Sequence, residues 1–94
     1  MKNLIKKHYN SIVKRGLITP DTNIVDFKKK IKEEYTELMI ELETNPYNKL
    51  SDEAIQESID LISVCTNMLF HYDVDIEQEL IKNILKQESR CKDM

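Results

Sequence analysis

The stretch IVDFKKKIKEEYTELMIELE, residues 24–43, decides how the chain is read. Its apolar residues Ile24, Phe27, Ile31, Tyr35, Leu38 and Leu42 recur at spacings of three and four. A helix gathers that spacing on one face, whereas a strand scatters it over two. Thr22 or Asn23 is positioned to cap this helix, and Asn45-Pro46-Tyr47-Asn48 breaks it beyond Glu43. The same periodicity predicts a first helix over about Asn3–Arg15, closed by the left-handed stop that Gly16 supplies. Ser51 caps a third, from Asp52 to about His71. Asp73 or Asp75 opens a fourth, which turns Ile76, Leu80 and Ile84 inward and ends near Arg90. The chain therefore reads as one all-α domain over residues 1–94, a four-helix bundle.

Composition closes several functional classes. A single Gly cannot build a glycine-rich phosphate cradle, so phosphate handling must rest on side chains and metal. Against 14 Lys and Arg stand 17 Asp and Glu, a net charge of -3, which argues against nucleic acid as a partner. No apolar run approaches the roughly 20 residues of a membrane span. Met1 to Lys7 is charged with no apolar core behind it, so no secretory signal is expected. Cys65 and Cys91 form no CxxC pair, and Cys65 reads as a free buried thiol. A reducing, cytoplasmic setting suits both.

The third helix is apolar nearly all round, with Ala54, Ile55, Ile59, Leu61, Ile62, Val64, Cys65, Met68, Leu69 and Phe70. Such a helix needs neighbours on every side, and a small bundle cannot supply them alone. A homodimer or larger assembly is expected.

Among the acids, only Glu34/Glu37 and Glu57/Asp60 stand three residues apart. At about 100° per residue, Glu34 falls beside Phe27 and Leu38, and Glu57 falls between Val64 and Met68 with Asp60 just beyond. Both pairs point toward packed surface, where carboxylates are costly unless paired or bound to a cation. All-oxygen ligation selects Mg²⁺ or Mn²⁺ over zinc. The bland counterpart is a solvated rim neutralised by Lys28, Lys29, Lys30 and Lys32 through i,i+4 pairing. A di-iron bundle would need Glu-x-x-His, but Ile5 and Met68 precede His8 and His71 by three. On the fourth helix Lys82, Lys86 and Arg90 recur every fourth residue with Asn83 close by. They are either a solvated flank or cations for phosphate oxygens.

Lys32-Glu33-Glu34-Tyr35-Thr36-Glu37-Leu38 and Glu57-Ser58-Ile59-Asp60 together resemble the ExxE…ExxD signature of the MazG-like nucleotide pyrophosphohydrolases. The likeness extends through Lys86 and Arg90, from about Phe27 to Arg90. It implies an all-α dimer or tetramer that hydrolyses a nucleoside triphosphate to monophosphate and pyrophosphate, in house-cleaning or control of the nucleotide pool. By position, Glu34, Glu37, Glu57 and Asp60 would hold Mg²⁺, or Mn²⁺ in its place. Glu34 or Glu37 would take a proton from water, and Lys86, Arg90 and Asn83 would contact phosphates. Thr36 stands where relatives often have Gly. With no Trp to clamp a base, His8, Tyr9 or Tyr47 would substitute. The competing expectation is a non-catalytic helical interaction or nucleotide-sensing protein that keeps the fold.

Overall fold

The computed structural model describes residues 2–44 and 49–92. They form four helices and no strand: α1 (Lys2–Lys14), α2 (Ile24–Glu43), α3 (Asp52–His71) and α4 (Ile76–Lys92). The expected break at Asn45–Asn48, Tyr47 included, lies outside the described residues.

The helix ends follow from local chemistry. Asn23, rather than Thr22, caps α2: its side-chain oxygen accepts from the Val25 and Asp26 amides at 2.9 and 3.2 Å. The Asp26 carboxylate accepts from the Asn23 amide in return, at 2.9 Å, which completes a capping box. Thr22 instead turns its hydroxyl to the Thr19 amide, 2.9 Å away, and shapes the linker. At the end of α1, Gly16 adopts φ 74°. The Gly16 amide donates to Val13 and the Leu17 amide to Ile12, the bond pair of a Schellman stop.

The end of α3 repeats that motif without a glycine. The Asp73 and Val74 amides donate to the Phe70 and Leu69 carbonyls, and Asp73 itself takes the positive φ, 58°. Asp75 then opens α4, its carboxylate accepting from the Gln78 amide at 3.1 Å. Of the two aspartates named for this start, one ends α3 and the other begins α4.

α3 is the central element, packed most extensively against α2, less against α1 and slightly against α4. The α2 side of the seam runs through Phe27, Ile31, Glu34, Leu38 and Glu41, all buried or half-buried. Ile24, Tyr35 and Leu42, expected on that face, are exposed. With one principal neighbour, α2 buries a narrow stripe at heptad-like spacing, not the broad arc its sequence offers. Leu80 and Ile84 are likewise exposed instead of inward, and Cys65 is half-buried instead of buried.

α1 is fastened to this pair by polar as well as apolar contacts. His71 bridges two segments: its Nε2–H donates to the Thr22 carbonyl and its Nδ1 accepts from the Tyr9 hydroxyl, both at 2.8 Å. A carbonyl can only accept, which fixes that tautomer of a neutral ring. Phe27, Phe70 and Tyr72 pack around the same imidazole and Tyr9.

The two left-handed caps give a direct test. Asp73→Gly relieves a Cβ in the left-handed region and raises unfolding free energy by roughly 0.5–1 kcal/mol. Gly16→Ala introduces the same strain and lowers it by about 1 kcal/mol, although nothing lies near enough to clash. Urea melts of the two variants read both signs, and a loss on Asp73→Gly would refute the assignment.

Candidate metal centre and adjoining cleft

Glu34 sits mid-seam on α2 and is only 7% exposed. Lys30, one turn earlier, reaches its Oε1 at 3.1 Å and Glu33 at 3.6 Å. Donating a hydrogen bond to the Glu34 carboxylate holds the Lys30 ammonium above the ordinary lysine range. Glu34 Oε2 is shielded from solvent and, among the described residues, has no hydrogen-bond partner. Across the seam, Glu57 Oε2 is in the same condition. Glu37, one turn beyond Glu34, is exposed. One carboxylate oxygen from each of Glu34, Glu37 and Glu57 lies within 4.8 Å of the other two.

Burial pushes the Glu57 carboxyl above its ordinary range. The hydrogen bond and charge of Glu37, then the charges of Asp60 and Glu34, push it further in the same direction. Three acids crowd one point, and two buried oxygens there lack a donor. A proton on Glu57 relieves part of that repulsion, and Lys30 relieves part of it on the far oxygen of Glu34. A hard cation relieves it at the unpartnered oxygens themselves. The donor set is all oxygen, which suits Mg²⁺ or Mn²⁺. Three of the four acids singled out by spacing thus converge. Asp60 is exposed and stands outside the trio, on the wall of the neighbouring cleft.

That cleft, about 470 Å³, opens between α1, α2 and α3. Asp26, Glu34 and Asp60 are the acids that line it, and Phe27, Ile18 and Val64 give it an apolar wall. Asn67 is 4% exposed, and its amide lies 3.2–3.3 Å from His8 Nδ1. Arg15 and Lys30 are the cations lining it. The volume lies within the roughly 300–1,000 Å³ of small-molecule sites.

The structure does not bring Asn83, Lys86 and Arg90 to this place within one chain. All three are exposed on α4, and none lines the cleft. Among the described residues no hydrogen bond or ion pair joins them to the four acids. Lys82 spends its charge on Glu79, 3.2 Å away. Lys30 was legible only as a neutralising partner, through its i,i+4 relation to Glu34. Arg15 and Asn67 carried no motif and were missed, because only the packing of α1 on α3 brings them to one cavity. Of the aromatic candidates, His8 faces the cleft, while Tyr9 is engaged by His71.

Comparison with protein-family models, curated proteins and solved structures finds no match to this chain. The observations stand as a four-helix all-α protein with an acidic cluster able to hold a metal ion.

Two outcomes follow from the geometry. Lys30 and a cation compete for Glu34, so Lys30→Met tightens Mn²⁺ binding about 3–10-fold by calorimetry, an ion pair of about 1 kcal/mol being removed. Unchanged or weaker affinity would show that the ammonium does not compete. For Glu57 the folded state binds the proton more tightly than the unfolded chain. Its contribution is therefore present below the ordinary carboxylate range and lost as pH rises through the raised value. Without metal, Glu57→Gln flattens that pH dependence and melts higher than the parent at pH 7. An unchanged pH slope would contradict it.

Proposed function

We propose that the protein is a divalent-metal-dependent nucleoside triphosphate pyrophosphohydrolase that releases monophosphate and pyrophosphate. One observation carries the reading: two shielded, unpartnered carboxylate oxygens inside a Glu34/Glu37/Glu57 trio beside a cleft of nucleotide size. The resemblance of Glu34…Glu37 and Glu57…Asp60 to the MazG-like signature adds the substrate class.

In this reading Glu34, Glu37 and Glu57 would hold Mg²⁺ or Mn²⁺, with Asp60 on the cleft wall beside them. The bound cation supplies charge neutralisation and Lewis-acid activation of the attacking water. Of the two candidates for general base, Glu37 is the more accessible to a water molecule, being exposed, whereas Glu34 is buried and paired with Lys30. Lys30 and Arg15 line the cleft and take phosphate oxygens as negative charge builds on the leaving pyrophosphate. Lys86, Arg90 and Asn83 serve that role only if a conformational or intermolecular change brings α4 to the cleft. The Asn67 amide and His8 imidazole present polar edges to the remainder of the nucleotide.

The second reading, a non-catalytic helical interaction or nucleotide-sensing protein, draws on the wide apolar surface left exposed on every helix. A panel of natural and modified (d)NTPs with Mg²⁺ or Mn²⁺, followed by pyrophosphate release, separates the two. The enzyme reading expects metal-dependent release, with Glu37→Gln and Asp60→Asn each losing at least about 100-fold at unchanged helicity. Metal binding with no release from any triphosphate supports the sensing reading, and full activity of both variants rejects the site.

A further inference from the structure

Charge is divided unevenly along this chain. Residues 1–32 carry nine Lys and Arg against two Asp, whereas residues 33–94 carry five against fifteen Asp and Glu. The net charge of -3 thus joins a segment of +7 to one of -10. Such an asymmetry points to an anionic partner when the cations are not neutralised within the chain.

On α2 they are not. At about 100° per residue, Val25, Lys28, Lys29 and Lys32 share about 100° of arc on the side turned from the α3 seam, with Ile24 and Tyr35 along its margin. All six are exposed, Val25 by 72% and Ile24 by 64%. Among the described residues, Lys30 alone of the four α2 lysines forms an ion pair. Lys28 and Lys32 stand one turn apart, a like-charge pair that costs a helix stability. The acids of the same turns are engaged elsewhere: Asp26 accepts from the Asn23 amide, Glu33 meets Lys30, and Glu34 is buried in the seam.

We infer that this outer face of α2 docks on an anionic membrane surface, with Lys28, Lys29 and Lys32 at the lipid phosphates and Ile24, Val25 and Tyr35 in the headgroup layer. Apolar and tyrosine side chains interleaved with lysines suit a boundary that is wet on one side and apolar on the other. A nucleic acid would use the lysines and leave Ile24 and Val25 in water. A protein partner would find too little to hold, because the face is convex and about 16 Å by 10 Å, a fraction of the roughly 800 Å² per partner of a stable interface. A fluid headgroup layer instead shapes itself to a convex helix. The contact is peripheral, since no helix among the described residues is long and apolar enough to cross a membrane. Asp26, Lys30 and Glu34 line the cleft from the other side of α2, so docking leaves it open. The buried acids stand about one helix diameter, roughly a Debye length, behind the lysines.

Co-sedimentation of the full chain with phosphatidylcholine vesicles, with and without about 30% phosphatidylserine, tests this at about 0.1 M salt. Binding to the anionic vesicles alone is expected, falling at least about tenfold at roughly 0.5 M salt. Replacing Lys28, Lys29 and Lys32 together by Ala weakens it about 100-fold, at about 5-fold per lysine, with helicity unchanged. Val25→Ser weakens it about 3-fold at constant charge. The matching α4 variant, with Lys82, Lys86 and Arg90 replaced by Ala, binds as the parent does. Equal binding to neutral vesicles overturns the inference, as does no binding to anionic ones. Full binding by the α2 triple variant or by Val25→Ser, or loss in the α4 variant, overturns it too. Tighter binding of an oligonucleotide than of vesicles, weakened by the same three lysines, would give the face to nucleic acid instead.

Discussion

Burial of the Glu34 carboxylate between α2 and α3 is the constraint around which the other features arrange themselves. Two like charges 4 Å apart repel by about 1 kcal/mol in water and by several times that at a partly buried site. Glu34, Glu37 and Glu57 hold three such charges within 4.8 Å. The chain offers only partial internal relief. Lys30 reaches one oxygen of Glu34 and leaves the other without a donor, and Glu57 holds its proton more tightly than an exposed carboxyl would. Neither device serves all three acids at once, whereas a divalent cation does.

Placing Glu34 in the seam also determines what the adjoining cleft is made of. A turn occupied by a carboxylate cannot be sealed by an apolar neighbour, so the space between α1 and the α2–α3 pair stays open and partly polar. α1 is then held across that gap largely by directed bonds: Tyr9 to His71, His71 to the Thr22 carbonyl, and His8 to Asn67. Such bonds contribute only about 1 kcal/mol each, but they fix where α1 stands more narrowly than apolar contact would. Arg15 and Lys30 thereby line the same cavity as Asp26, Glu34 and Asp60.

What the sequence disclosed, and what it hid, divides along the range of the interactions. Helix existence, the Asn23 and Ser51 caps and the Gly16 stop are set by neighbours within a few residues, and all were legible. The face taken by each acid pair was legible too, because helical spacing fixes it; of the four acids expected to converge, Glu34, Glu37 and Glu57 do and Asp60 stands apart. Asp73 and Asp75 stood as alternative helix starts, and Asp75 takes that place; that Asp73 ends α3 was hidden because a left-handed cap without glycine has no distinctive residue. The burial of Ile24, Tyr35, Leu42, Leu80 and Ile84 was overestimated, since amphipathic spacing reports what a helix offers and not whether a neighbour takes it. Asn67 meets His8 across 59 residues of sequence and Arg15 lines the same cleft, and no local pattern encodes that meeting.

α3 faces two unmet demands at once. Its front, through Glu57, needs positive charge or a proton, and its back, through Ile55, Ile59 and Ile62, needs apolar cover. Neither demand can be met by rotating the helix, because Ala54 and Asn67 already anchor it against its neighbours with almost no surface exposed. A cation at the front and a second protomer at the back would therefore stabilise the same helix from opposite sides. Ligands that bind only the folded chain each shift the unfolding equilibrium by mass action, even when they never touch. The two would add in global stability without any conformational signal passing between them. Conformational coupling would require more, namely a helix with two packed arrangements, and α3 is pinned in one.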